Sequence, residues 1–161
     1  MPASELFDSE GVITSPMTVI EDGVLKTFLY NLESAAIAKI PSTAHAARSY
    51  SGKVGTSFSN LIVPCGEHSL ESLFKMHPKC FYAVKLEGGS GCSAVSGEIS
   101  IGAQGFWVEN GKIVQPVDGV TLSANFFDLL SKIQAVGNSY NDLFSSYRIP
   151  DLMIEEMFIS G

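Results

Sequence analysis

Three histidines, three cysteines and a few runs of small polar residues are the side chains in this sequence with the potential to do chemistry. A hydrolytic metal site takes about three side-chain ligands, often two histidines one helical turn apart so that both face the ion. His45, His68 and His77 lie 23 and 9 residues apart, and none has a His or Cys partner at such spacing. They read as surface or hydrogen-bonded histidines, and no metal ligand is assigned. Cys65, Cys80 and Cys92 are odd in number and 15 and 12 residues apart, which fits neither a CxxC metal pair nor a secreted disulfide framework. Reduced thiols are the simpler reading. Cys92, beside Gly91, would act as a nucleophile only with a base to form its thiolate, and no neighbour supplies one. The sequence has no G-x-S-x-G elbow and no G-x-x-x-x-G-K-[ST] phosphate loop, so no catalytic residue is assigned.

Binding is the weaker alternative to catalysis. Ser42, Thr43 and His45 carry groups that can hydrogen-bond an extended peptide, although Ser and Thr are also ordinary turn residues. Gly88-Gly89-Ser90-Gly91 lacks the strand, helix and acidic residue of a dinucleotide fingerprint and reads as a flexible turn. Phe106 and Trp107 read as core and sheet packing rather than a ligand platform.

These groups sit in a chain of 161 residues and 17.2 kDa, the length of a single globular domain. Hydrophobic residues make up 45% and charged ones 17%, a balance that excludes intrinsic disorder and supports a core without staples. Ten basic against seventeen acidic residues leave a net charge of -7, and the basic ones are scattered. Such a surface repels phosphate runs, so no nucleic-acid partner is expected. No basic segment leads into an apolar one at Met1-Pro2-Ala3-Ser4-Glu5, and no apolar stretch reaches membrane-spanning length. A cytoplasmic protein with no membrane contact is the expectation.

Asp22-Gly23 and Asn110-Gly111 tolerate the positive φ of two-residue hairpin turns, so they predict hairpins joining 16–21 to 24–30 and 104–109 to 112–116. Further β-branched and aromatic runs predict strands at 60–63, 81–86, 97–100 and 152–159. Three- and four-residue apolar spacing predicts helices over 32–39 after Asn31, over 69–76, and over 126–136. The last has Asn125 as N-cap and Gly137 to end it. Between them, 41–59 and 87–96 read as long irregular loops of the kind that tend to carry function. The expected class is α+β, a large, mainly antiparallel sheet with two or three helices.

Taken in order, six stretches resemble the C-terminal domain of the TldD/PmbA family, also known as modulators of DNA gyrase. They are Phe7-Asp-Ser-Glu-Gly-Val12, Ile20-Glu-Asp-Gly-Val-Leu25, Ser42-Thr-Ala-His-Ala46, the run from Gly97 through Phe106-Trp107 to Gly111, Thr121-Leu-Ser-Ala-Asn125, and Ile159-Ser-Gly161. The resemblance is to the PmbA, or TldE-like, branch and spans nearly the whole chain. Ala44 and Ala124 depart from it, standing where relatives usually carry Gly.

The resemblance implies a cytoplasmic zinc peptidase system in which a TldD-like subunit carries an HExxxH motif on an N-terminal region with no counterpart here. That branch also supplies a Cys ligand near its final strand, whereas 142–161 contains no Cys. The chain thus looks like the non-metal partner, beginning where the family's second half begins, either an excised domain or a short standalone relative. The family's N-terminal domain is expected to be absent. The implied role is to line a channel and pair with unfolded peptide, with Ser42, Thr43, His45, Gly89 and Gly91 as candidate peptide-binding positions. The chain alone is expected to be inactive and to hold no cofactor, zinc belonging to a TldD-like partner. Expected partners are that subunit, a second copy of itself, and unfolded peptide, with any effect on gyrase indirect. The competing expectations are a standalone interaction domain unrelated to proteolysis, and a thiol enzyme using Cys92.

Overall fold

Asp22 and Gly23 take φ of 52° and 75°, and Asn110 and Gly111 take 50° and 77°, so both turn dipeptides adopt the left-handed geometry that tight hairpins require. The computed structural model describes residues 1–142 and 144–161. They divide into two compact units, one of Met1–Ile62 with Asp142–Arg148, the other of Val63–Asn141 with Ile149–Gly161. The class is α+β, and the longest pairings are antiparallel.

In the first unit, the Asp22-Gly23 turn joins β1 (Ile20–Glu21) to β2 (Val24–Leu25). Both strands are only two residues long, far short of the expected 16–21 and 24–30. Both are also exposed throughout, and a two-stranded ribbon that buries neither face has little to hold it together beyond its turn. Helix α1 (Leu32–Ala38) matches expectation because its start is capped twice. Asn31 Oδ1 accepts from Ser34 N at 2.8 Å and Ser34 Oγ accepts from Asn31 N at 3.1 Å, a reciprocal box that satisfies two otherwise orphaned donors. The loop expected at 41–59 holds a short antiparallel pair, β3 (Ala46–Ala47) and β4 (Gly55–Thr56). β5 (Leu61–Ile62) pairs in parallel with β10 (Tyr147–Arg148).

The second unit is built on a four-stranded antiparallel sheet in the order β12-β8-β7-β6. Its members are β6 (Lys79–Glu87), β7 (Glu98–Glu109), β8 (Lys112–Asn125) and β12 (Phe158–Ser160). The strand expected at 97–100 and the first arm of the second hairpin fuse into the single 12-residue β7. Two register jumps meet at nearly one level of the sheet, where Gly105 faces Ala83 while Gln104 faces Lys85, and Ala103 faces Val120 while Gly105 faces Val117; a third lies between Trp107, facing Gln115, and Val108, facing Ile113. Each jump inserts an extra residue and bends its strand. Helix α2 (Leu70–Phe74) starts at Ser69, whose side chain accepts from Ser72 N, and it ends two residues before the expected Met76.

Two expectations in this unit are overturned. The helix expected over 126–136 is only α3 (Phe126–Ser131), and Gly137 does not end it. From Ile133 the chain becomes β9 (Ile133–Tyr140), which pairs with β11 (Pro150–Ile154). Gly137 sits inside β9, where its carbonyl accepts from Gly66 N at 2.8 Å. A six-residue helix has little stability of its own, so the paired strand wins over the local periodicity. The strand expected at 152–159 is two strands in two sheets, because the backbone turns at Glu155, whose N–H bonds Lys132 O at 2.9 Å. The core of this unit gathers Leu73, Ala135 and Met153, with Cys80 packed against them.

Candidate functional site

Two places bring chemistry-bearing residues together, one in each unit. The first is the turn at 42–46. Ser42 Oγ donates to Tyr30 O at 3.0 Å, and Thr43 Oγ1 accepts from Tyr30 N at 2.8 Å. His45 Nδ1 lies 2.6 Å from Thr43 O. A carbonyl only accepts, so Nδ1 carries the proton in this bond. Ser42, Thr43 and His45 therefore lie together in one turn, with both hydroxyls engaged by the Tyr30 backbone and His45 Nδ1 by Thr43 O. Asp8 holds the turn in place: Oδ2 accepts from Ala46 N at 3.0 Å, and Oδ1 accepts from Glu10 N at 2.9 Å and Val12 N at 3.0 Å. Asp8 is buried, which by itself would raise its carboxyl. The three N–H groups and the nearby His45 outweigh burial and hold it below its ordinary value of 3.8. Sequence reading assigned Asp8 no role, although Asp8-Ser9-Glu10-Gly11 carries the signature of a side chain that caps its own turn.

Ala44 is buried at a φ of 56°, a conformation that Gly adopts freely and a Cβ penalises. Replacing it by Gly relieves backbone strain but removes a buried methyl and loosens the unfolded chain. Ala44→Gly is therefore expected to change stability by less than about 1 kcal/mol. Ala44→Val, β-branched in the left-handed region, should lower the midpoint of thermal unfolding clearly. Ala124, by contrast, lies in β8 opposite Ile99 without positive φ, where a Cβ is at home.

Gly89 and Gly91 lie in the second unit, in a single 3-10 turn (Gly89–Gly91) between β6 and β7. Both are exposed, and a Cβ on Gly91 would press on the Ser100 carbonyl. The exposed Cys92 beside them has its Sγ 4.0 Å from Ser100 O, and among the described residues no base stands at hydrogen-bond distance.

The second place is a cleft of about 550 Å³ lined by α2, by residues 79–83 of β6 and by residues 150–157. Phe81 and Trp107 meet edge to face at 5.5 Å between ring centres, while Phe74 of α2 meets Tyr82 at 5.1 Å. Trp107, expected to be simple packing, thus also lines the cleft, with Lys79 Nζ 4.9 Å from its ring centre and 3.2 Å from Glu109. Burial pushes the Cys80 thiol up, and burial with the charge of Asp151 raises the Tyr82 hydroxyl. Glu156, also in the lining, is bonded by Lys132 Nζ at 2.6 Å. No sequence signal marked this cleft, because its walls come from segments about 70 residues apart.

Neither place suits a zinc ion. Nδ1 of His45 is taken by Thr43 O, His77 Nε2 lies 2.7 Å from Gln134 Oε1, and among the described residues no three His, Cys, Asp or Glu side chains gather as a ligand set. Among them, too, no helix is long and apolar enough to cross a membrane.

The model of the PmbA/TldA metallopeptidase C-terminal domain matches residues 1–161. This chain belongs to that family. Metalloprotease PmbA of Escherichia coli O157:H7 is 33% identical over 162 residues, covering 99% of this chain and 33% of that protein. The chain thus spans about a third of the length of the curated relatives it matches. A crystal structure from Thermotoga maritima, described as a modulator of a DNA gyrase, superposes with a TM-score of 0.87 at 37% identity, over 98% of this chain and 36% of that one. TldE from Thermococcus kodakarensis has the same fold, with a TM-score of 0.86 at 23% identity over 98% of this chain and 36% of its own. The PmbA/TldA assignment covers both the 42–46 turn and the cleft.

Proposed function

We propose that this chain is the C-terminal, non-metal domain of a PmbA-type component in a cytoplasmic zinc peptidase system that acts on unfolded peptides. The match of the family over the full chain, together with similarity to PmbA along 99% of it, carries the reading. Zinc would be held by a TldD-like partner, since the histidines and thiols here do not form a ligand set. This domain would supply walls and contact surface. The turn at 42–46 and the exposed glycines at 89 and 91 remain its proposed peptide contacts.

The chain purified alone and supplied with zinc is expected to leave an unfolded reporter peptide intact. A TldD-like subunit should co-purify with it, and cleavage by the mixture should be abolished by a chelator. Chelator-sensitive cleavage by this chain alone would overturn the reading, as would capture of an unrelated protein in place of an HExxxH-bearing one.

A further inference from the structure

The cleft of the second unit is apolar over most of its wall and charged on one side. Phe81, Trp107, Leu122 and Ile159 contribute hydrophobic side chains, and the volume of about 550 Å³ falls within the roughly 300–1,000 Å³ of ordinary ligand sites. Three carboxylates and Lys79 also line it, and some of these charges are already neutralised. Lys79 is paired with Glu109 at 3.2 Å, and Glu156 with Lys132 at 2.6 Å. Asp151 and Glu155 take part in no ion pair among the described residues. The charge left uncompensated in the cleft is therefore negative.

Asp151 is the better held of the two. It is half-buried in β11 at a break in register: Pro150 faces Tyr140 and Leu152 faces Val136, so this one residue stands opposite the three of 137–139. Such irregularities re-aim a side chain. Gly137 lets the strands close in, since a Cβ there would come 3.1 Å from the Asp151 carbonyl oxygen and 3.3 Å from its Cβ. Asn141 Nδ2 donates to Asp151 Oδ1 at 3.0 Å, and among the described residues none donates to Oδ2. Burial, and then the charge of Asp151, raise the Tyr82 hydroxyl, which places the carboxylate near the aromatic wall. A half-buried carboxylate loses part of its hydration, and it is best compensated by a cation that brings an apolar body with it.

We propose that this cleft binds a small amphiphilic cation, an ammonium carried on an aryl or alkyl body: the ammonium sits against Asp151 with Glu155 as a second carboxylate, and the body lies against Phe81, Trp107 and Leu122. Aromatic rings attract the same charge, as Lys79 Nζ shows 4.9 Å from the Trp107 ring centre. An anion of equal size would meet two uncompensated carboxylates and is rejected. The proposal is independent of the peptidase reading, because the ligand is a free small molecule and not a segment of chain.

The probe is phenylbutylamine. Phenylbutanol and phenylpentanoate are its neutral and anionic matches, and acetyl-lysine amide carries the same ammonium on a polar, peptide-like body. Trp107 is the single tryptophan of the chain, so its emission reports occupancy of the cleft, with calorimetry as the second readout. The amine should bind about tenfold more tightly than the alcohol. The carboxylate and the lysine amide should give no saturable change at the same concentrations. Asp151→Asn keeps an oxygen for Asn141 and should bring the amine down to the affinity of the alcohol, leaving the alcohol unchanged. Phe81→Ala should weaken amine and alcohol alike, so the two variants separate charge from apolar contact. The comparison of amine with alcohol on the native chain needs no variant and stands even if one of them misfolds. Equal affinity for amine and alcohol, saturable binding of the carboxylate, no binding of any probe, or an Asp151→Asn chain that still prefers the amine would each overturn the proposal. A lysine amide that bound as well as the amine would overturn it too, by assigning the cleft to a side chain of a peptide.

Discussion

Replacing Asp8 with Ala is expected to lower the stability of the chain by about 3 kcal/mol, measured by urea unfolding at pH 7. Asp8 is 5% exposed, and its two oxygens take N–H donors from Glu10, Val12 and Ala46. Truncation would strand these donors where water reaches them poorly, and each orphaned donor costs more than a neutral hydrogen bond contributes. Asp8→Asn tests the charge separately. Its amide oxygen can serve Glu10 and Val12, but its NH₂ would then face the Ala46 N–H, donor against donor. It should cost less than Ala, about 1–2 kcal/mol. The carboxyl is depressed in the folded state, so its stabilising effect is present above its unfolded value near 3.8 and is lost as pH falls through the lower folded value. The gap between the native protein and Asp8→Asn should therefore be constant near neutrality and shrink below about pH 4. A gap that persisted at pH 2 would show that Asp8 acts through shape rather than charge.

Gly105→Ala should be at least as damaging, about 3 kcal/mol or more by the same measurement, and Gly105→Val worse. Gly105 is buried in β7 at the level where the register of both neighbouring strands jumps. An added Cβ there would press on the Tyr82 carbonyl and come within 3.0 Å of the Ala83 Cα. These are backbone atoms of β6, so no rotamer change makes room, and the strands must separate. Gly55→Ala is the matched control. It sits exposed in β4 with nothing within 4 Å of the added Cβ, and should be neutral or mildly stabilising. Equal tolerance at the two positions would contradict the close approach of β6 and β7.

Local chemistry made several elements legible. The turns at Asp22-Gly23 and Asn110-Gly111, the capping of α1 by Asn31 and of α3 by Asn125, and the hairpin of β7 and β8 all depend on residues within a few positions of one another. The failures have the opposite character. Ile133, Val136 and Gly137 fit a helical stripe and its stop signal, but β9 forms because β11 lies alongside it. The run 152–159 has uniform strand propensity, and only pairing with two different strands splits it. Among the candidate positions, Ser42, Thr43 and His45 were legible as a polar cluster, whereas Asp8, which holds their turn, binds Ala46 from 38 residues away.

Composition, turn dipeptides, caps and ordered motifs were enough to establish an α+β member of the PmbA/TldA family, since each rests on short-range geometry or on residue identity itself. The extent of the strands, the buried carboxylate behind the 42–46 turn and the cleft between β6 and β11 were decided by tertiary structure. Each depends on groups far apart in the chain meeting in a buried or edge environment, and that meeting changes which backbone conformation and which charge state costs least.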